Sequence, residues 1–510
     1  MNEVAVEPRP SDVRTVAAPV DHHVIIIGAG FGGMGVAIQL RRRGIDDLLI
    51  IDREDGLGGT WHINTYPGIA VDIASVTYSF SFEPNPDWSR LYAPGAELKA
   101  YAEHVADTYD LRRHMCFDTA VTAAAWDEDG SRWLIDTADG QRLSARVLIV
   151  GTGFLSQPKF PAIPGLEDFA GTIMHTAMWD HDHDLTGERV AVIGTGATAV
   201  QLIPEIAPYV AQLYVHQRTP IWVTPKLDGP IPRPLRAAFR RLPLAQLGMR
   251  LTNNTVLELL GAGVLYHKQF PLLIRAGEAL ARAHLRRQVR DPETRRKLTP
   301  DYDLFCKRPT FSNTYFPTFN RDDVELVTED IERITPRGIL TADGVEREID
   351  TLLLATGFKL MEEGNYPPFP VTGVGGSDLG KRWRTQRFSS YEGLTVSGFP
   401  NLLYLPSPYA FSGLSFFFTI ENQMAHIDRL LGEVERRGVD RFEVTEAAQD
   451  RFMQRMLAAS ANTLWVNGDC ANSNSYYFNE HGDTSLGRLT PTFDAVYRAR
   501  RFPLGDYLFG

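Results

Sequence analysis

The chain carries one short signature twice: an apolar run that ends in a glycine-rich turn and opens a helical stretch, at Gly28 and again at Gly194. Val24 to Ile27 is β-branched and fully apolar, as a strand buried on both faces must be, and it leads into Gly28-Ala29-Gly30-Phe31-Gly32-Gly33. Met34 to Arg43 reads as a helix, and a second apolar run, Leu48 to Ile51, delivers Asp52 twenty-four residues beyond Gly28. Gly28, Gly30 and Gly33 let backbone N–H groups and a helix N-terminus approach a pyrophosphate, while Asp52 suits a pair of ribose hydroxyls. Arg189 to Ile193 repeats the strand before Gly194-Thr195-Gly196-Ala197-Thr198-Ala199, where alanine takes the last position. Two such turns predict two dinucleotides and an α/β fold of two Rossmann-like domains.

The second turn differs from the first in the end of its next strand. Gln212 to His216 is that strand, and it ends in Gln217-Arg218-Thr219. NAD sites prefer an acid at that strand end. An arginine there can instead pair with a 2′-phosphate, so Arg218 and Thr219 favour NADPH, the other reading being an ordinary surface arginine. Two further glycine turns, Gly151-Thr152-Gly153 and Ala355-Thr356-Gly357, end buried strands where the chain would pass between domains. Prolines at 158, 161 and 164 suit a stiff link. The organisation expected is a disordered tail over 1–21, a first dinucleotide domain over 22–155, a second over 156–385 with a helical insertion at 226–300, and a return to the first over 386–510.

Composition narrows the classes. At 510 residues the chain is long enough for two or three cores, and the net charge of -11 opposes nucleic-acid binding as a general role. The charge is uneven: Arg233 to Lys297 holds 14 Lys/Arg against 4 Asp/Glu, a net +10 that leaves -21 elsewhere. That stretch has helical periodicity and reads as the solvated faces of an insertion, with a membrane-surface role as the alternative. No window of apolar residues is long enough for a transmembrane segment, and the N-terminus has no signal-peptide character, so the cytoplasm is the expected location. Cys116, Cys306 and Cys470 lie far apart, which draws neither a disulfide framework nor a cysteine metal site and leaves out a redox Cys-x-x-Cys. Asp180-His181-Asp182-His183-Asp184 looks metal-like, yet no partner cluster with ligand spacing accompanies it, so no metal is expected.

Five remaining stretches carry more specific patterns. Gly58-Gly59-Thr60-Trp61 runs on through Tyr66-Pro67-Gly68 to Asp72, too rich in glycine, proline and aromatics for helix or strand; by itself Asp72 could be a helix N-cap. Phe169, Gly171, His175, Trp179 and Asp180 stand at fixed spacing between the two dinucleotide turns. Cys306-Lys307-Arg308-Pro309 precedes Asn320-Arg321-Asp322-Asp323-Val324, and Ser475-Tyr476-Tyr477 lies near the C-terminus.

Together these stretches resemble the type I Baeyer-Villiger monooxygenases from about Val24 to Tyr507, thinning over the basic insertion. The pattern F-x-G-x-x-x-H-x-x-x-W-[P/D] is filled at every specified position by Phe169, Gly171, His175, Trp179 and Asp180. The pattern [A/G]-G-x-W-x-x-x-x-[F/Y]-P-[G/M]-x-x-x-D is likewise filled from Gly58 to Asp72. Asp323 departs from the family's usual asparagine, and Tyr476 from its usual tryptophan.

The resemblance implies FAD in the first domain and NADPH in the second, with Gly59, Thr60 and Trp61 along the flavin. It implies that O2 adds to the reduced flavin and that the resulting C4a peroxide attacks a small apolar ketone, giving an ester or lactone. It makes Arg308 the catalytic arginine with Asp72 beside it, Lys307 a second contact for the NADP phosphate, and His175 and Trp179 supports of the domain link. A guanidinium fits that role because it keeps its charge and does not readily give up a proton, its pKa lying above about 12. A flavin-containing monooxygenase acting on soft nitrogen or sulfur stays open as an alternative, as does a nucleotide-binding protein without catalysis. The ketone and the oligomeric state stay undefined.

Overall fold

The structure is a computed structural model that describes residues 18–413 and 415–510. The expected tail at 1–17 lies outside the described residues. Residues 18–21, placed by sequence in that tail, are instead tied to the first sheet. Asp21 accepts hydrogen bonds from the Ser144 backbone and hydroxyl, both 2.8 Å, and the carbonyls of Ala18 and Pro19 accept from Arg146 and Arg132.

The first glycine signature folds as expected. Strand β1 (His22–Ile27) turns at Gly28 into helix α1 (Phe31–Arg42), and β2 (Leu48–Ile51) returns parallel to β1. Short β3 (Met115–Cys116) extends the edge beyond β2. On the other side of β1 lies β6 (Arg142–Val150), preceded by the antiparallel pair β4 (Val121–Asp127) and β5 (Arg132–Thr137). Strand β6 spans nine residues. The structure makes it continuous, because no turn residue separates Ser144 from Val147 and both halves find partners, β5 for the first and β1 for the second. Late in the chain Leu402–Tyr404 joins β6 in parallel and Val371–Thr372 joins β4, so the C-terminal part completes the sheet that the N-terminal part begins. Helix Phe416–Arg437 then packs against α1. It starts at Phe416, so the Phe416-Phe417-Phe418 triplet forms its first turn; Phe417 is fully buried against Phe31 and Phe80.

The second sheet is parallel throughout: Val324–Val327, then β9 (Gln212–His216), β8 (Arg189–Ile193), Thr351–Leu354 and β7 (Thr172–His175). Helix α4 (Ala197–Ile206) comes after β8, as α1 does after β1; α2 (Thr60–Ile63) and α3 (Gly95–Thr108) belong to the first domain. The two dinucleotide turns repeat one device. Gly28 (φ 112°) and Gly194 (φ 120°) lie so close to the next glycine turn that a Cβ would fall 2.4 Å from the carbonyl oxygen of Gly151 or Ala355. Both conformation and space thus demand glycine.

The chain crosses between the sheets twice, and the crossings run side by side. The Lys159 N–H donates to the Gly357 carbonyl and the Lys359 N–H to Gln157, both at 2.9 Å. The basic insertion is helical, α5 (Arg233–Arg241), α6 (Pro243–Leu265), α7 (Pro271–Gln288) and a short helix Pro292–Lys297. No helix among the described residues is long and apolar enough to cross a membrane.

One expectation fails outright. Cys306 and Cys470, 164 residues apart, form a disulfide. Their spacing carries no signal of it, since the two cysteines meet only after the second domain has closed and the C-terminal segment has returned across it.

Candidate functional site

Two cavities mark the glycine turns. The smaller, 280 Å³, is lined by Gly28, Gly30, Asp52, Gly59, Thr60 and Trp61 among others. Gly33 closes the turn from behind, since a Cβ there would meet the Gly28 carbonyl at 1.9 Å. Asp52 accepts the Ala29 N–H at 2.7 Å and the Glu54 N–H at 3.0 Å, which orients its carboxylate at the end of β2. Burial pushes its carboxyl above the ordinary aspartate value, and the two N–H donors oppose that shift. An acid held at a strand end beside a glycine turn is what an adenosine ribose requires, so these residues fit a dinucleotide.

The larger cavity, 1290 Å³, is shared by both domains. Thr60 and Trp61 line it as well as the smaller one, so the two spaces meet at the start of α2. Gly194, Gly196, Arg218, Thr219, Lys307, Arg308 and Asp72 all face it. Gly196 has no atom within 4 Å of where a Cβ would stand, so the protein itself leaves that room beside the N-terminus of α4. A pyrophosphate fits there.

Lys307 and Arg218 lie together with no hydrogen bond or ion pair to a carboxylate among the described residues. Burial, and then the charge of Arg218, push the Lys307 ammonium down to about 8. Two neighbouring cations without an anion form a ready phosphate site, so the donor set fits a 2′-phosphate. Thr219 is engaged elsewhere: its hydroxyl accepts from Asn474 at 2.7 Å and its carbonyl from Thr195 at 2.8 Å. Asn474 belongs to the C-terminal loop, and no sequence pattern singles it out.

Arg308 and Asp72, 236 residues apart, form a bidentate pair: Nε to Oδ2 and Nη2 to Oδ1, each 2.8 Å. The Asp72 charge raises the guanidinium further above its ordinary value, so it stays cationic. Residues 73–78 form turns and no helix, so Asp72 caps nothing. Tyr476 and Tyr477 flank the pair, and burial raises both phenols above the ordinary tyrosine value. Across the cavity the Trp61 indole N–H donates to the Tyr78 hydroxyl at 3.2 Å. The loop that bears Asp72 is held by the second domain. Gln201 on α4 accepts from the Tyr66 hydroxyl and donates to the Ala70 carbonyl, both 2.9 Å.

The Phe169 to Asp180 stretch lies outside the cavity lining, behind the second link. His175 ends edge strand β7, level with Leu354. Its Nδ1 accepts the Ala177 N–H at 3.1 Å, which leaves Nε2–H to donate to the Gly357 carbonyl at 3.1 Å. Burial lowers its basicity, so the ring is neutral. Gly171 is needed where it stands, because a Cβ would lie 2.3 Å from the Asp350 carbonyl oxygen. Phe169 is buried under the second sheet, Trp179 packs against the hydrophobic core on its other side, and Asp180 accepts the Asp182 N–H at 2.9 Å. His181 and His183 diverge, toward Thr65 and Thr351 respectively.

Two dinucleotide turns, each opening on its own cavity, the two cavities meeting at Thr60 and Trp61 and the domains joined by paired links, define a flavoprotein oxidoreductase with a second, nicotinamide-binding domain. The pyridine nucleotide-disulphide oxidoreductase family matches residues 25–229. A Baeyer-Villiger monooxygenase of Pseudomonas aeruginosa is 39% identical over 97% of this chain and 92% of its own. One of Streptomyces coelicolor is 37% identical over 95% and 92%. Among solved structures, OTEMO in complex with FAD and NADP superimposes with a TM-score of 0.85 at 28% identity, over 96% of this chain and 100% of that one. The chain belongs to the Baeyer-Villiger monooxygenases, flavoenzymes that use FAD and NADPH.

Proposed function

We propose that this enzyme uses NADPH and O2 to insert one oxygen atom beside the carbonyl of a small apolar ketone, giving an ester or lactone, with Arg308 as the catalytic cation. The observation that carries the reading is the bidentate Arg308–Asp72 pair facing the shared cavity. Bound FAD supplies hydride acceptance and oxygen activation. The protein then has to stabilise negative charge without quenching it by a proton. Arg308 can do so because a guanidinium keeps its proton, and Asp72 fixes both of its nitrogens in one plane. The flanking phenols stay protonated, so Tyr476 and Tyr477 do not cancel that charge. Lys307 and Arg218 select the phosphorylated nicotinamide cofactor. Aromatic walls, including Phe411, Phe416 and Tyr78, keep water from the reacting centre and favour an apolar substrate. His175, neutral and bonded to Gly357, sets the link between the domains as a positioning residue. An enzyme that draws on NADPH belongs in the cytoplasm, the location we propose.

The test is a panel of cyclic and linear ketones, with a thioether and a tertiary amine beside them, incubated with NADPH and read by mass spectrometry for a gain of one oxygen. We expect esters or lactones from ketones. Arg308→Ala should still oxidise NADPH and yield hydrogen peroxide, with ester formation down by a factor of about 100 or more, the scale of losing one charge-stabilising donor. Oxidation confined to sulfur or nitrogen, or full ester yield from Arg308→Ala, would sink this assignment.

A further inference from the structure

Helix α6 departs from the solvated faces expected of the insertion. Leu244, Leu247, Leu251 and Leu259, at helical spacing on one face, are between 47% and 80% exposed, and Val256 beside them is 50% exposed. The helix carries only two charged residues, and neither is on that face. Arg250 is buried and donates to the Ser79 carbonyl at 2.9 Å, while Glu258 accepts the Thr492 N–H at 2.8 Å on the cavity side. The apolar surface continues through Phe270, Leu272 and Leu273 at the start of α7, each about half exposed or more. Cations bracket it: Arg241 before α6, Lys268 in the turn after it, Arg275 on α7, all exposed and none in an ion pair among the described residues. Further along α7, Arg286 and Arg287 are exposed and unpaired in the same way.

An uncharged leucine face rimmed by free cations matches a layer that is apolar below and anionic at its rim. We propose that α6 and the start of α7 seat this enzyme on an anionic lipid bilayer surface, the leucines entering the acyl boundary and Arg241, Lys268 and Arg275 engaging headgroup phosphates. The net +10 of this segment, set in a chain that is -21 elsewhere, points the molecule toward such a surface and holds the remainder away. A second copy of the chain is a poorer occupant, because a twofold contact here would bring two +10 segments together. The inner side of the same helix, Leu257, Gly261, Val264 and Leu265, lines the large cavity. A docked α6 would therefore be the wall between lipid and cavity, which suits the apolar substrate of the proposed reaction, though the docking itself does not depend on that reading.

The test uses the FAD-loaded full chain and sucrose-filled vesicles of phosphatidylcholine, alone or with about one third phosphatidylglycerol, in low and high salt. We expect sedimentation with the anionic vesicles, at least about tenfold weaker with phosphatidylcholine alone and in high salt. Arg241→Glu/Lys268→Glu/Arg275→Glu should weaken it by about 100-fold, and Leu244→Glu/Leu251→Glu/Leu259→Glu should abolish it, with flavin absorbance and NADPH oxidation unchanged in both. Absence of vesicle binding by the wild type, or undiminished binding by both variants, overturns the proposal. So does a light-scattering result in which the leucine variant converts a dimer to a monomer and no form binds vesicles, which would make this face a contact between copies. Loss of ketone oxidation with vesicle binding intact would count against the proposed reaction and leave the docking standing.

Discussion

Lys307 shows how much one residue's surroundings decide. Its ammonium, lowered to about 8 by burial and by Arg218, is charged at neutral pH and loses that charge as pH rises through that value. Only the charged form attracts a 2′-phosphate. We therefore expect kcat/KM for NADPH to fall above pH 8 while kcat/KM for NADH stays level, and Lys307→Arg to remove the fall by keeping the charge. A flat NADPH profile would take Lys307 out of phosphate recognition. A companion variant, Arg218→Ala, should raise KM for NADPH by about tenfold with kcat little changed, the pattern of a contact equal in ground and transition states. Residue types at fixed spacing made Arg218, Lys307, Arg308 and Asp72 legible as candidates, because each belongs to a patterned stretch. Asn474 was not legible. Its bond to Thr219 depends on a left-handed turn (φ 46°) in a loop where asparagine is an ordinary choice.

Between elements, the decisive contact is that of α4 with the loop from Gly58 to Asp72. Gln201 uses its whole amide there, accepting from Tyr66 and donating to Ala70, so the first helix of the second domain fixes the approach of Asp72 to Arg308. Gln201→Ala removes both bonds and leaves the largely buried Tyr66 hydroxyl without its acceptor, a cost of about 1–3 kcal/mol. We expect flavin content to survive, because the Asp52 turn is untouched, while the share of NADPH oxidation that ends in hydrogen peroxide rises severalfold. Peroxide and ester yields measured on one sample would decide it: unchanged coupling would show that the loop holds Asp72 without α4. Sequence periodicity placed β1, β2, β8 and α4, since buried parallel strands and glycine turns leave strong local signals. It fixes neither the continuity of β6 nor the start of the helix Phe416–Arg437, because an aromatic triplet packs equally well in a loop or in a first turn. Nor could it find the outward leucines of α6. Their stripe looks like that of any core-facing helix, and which side is inward is fixed only by what the helix packs against.

At the scale of the whole molecule, the Cys306–Cys470 bond joins the loop that carries Lys307 and Arg308 to the C-terminal loop that carries Asn474, Tyr476 and Tyr477. Both walls of the site are thereby held by one covalent tie across 164 residues of chain. Closing so long a loop removes unfolded-state freedom on the order of 3–5 kcal/mol, and the tie is additional to all the hydrogen bonds around it. In the reducing cytoplasm proposed for this enzyme such a bond persists only if reductant fails to reach it. Cys306 is fully buried and Cys470 is 9% exposed, whereas Cys116 is exposed and free. The expected outcome is therefore specific. Ellman titration of the protein purified with mild reductant, desalted and then unfolded without reductant should count one thiol, and three only after unfolding in the presence of strong reductant. Cys470→Ser should lower the first thermal transition by several degrees and loosen the loop, so that ester yield falls more than NADPH consumption does. Three thiols after unfolding without strong reductant would mean that the two cysteines pack in contact without bonding. The loop over Arg308 would then owe its position to hydrogen bonds, among them Asn474–Thr219, Trp465–Phe305, Asp469–Asp303 and Asn472–Asp301.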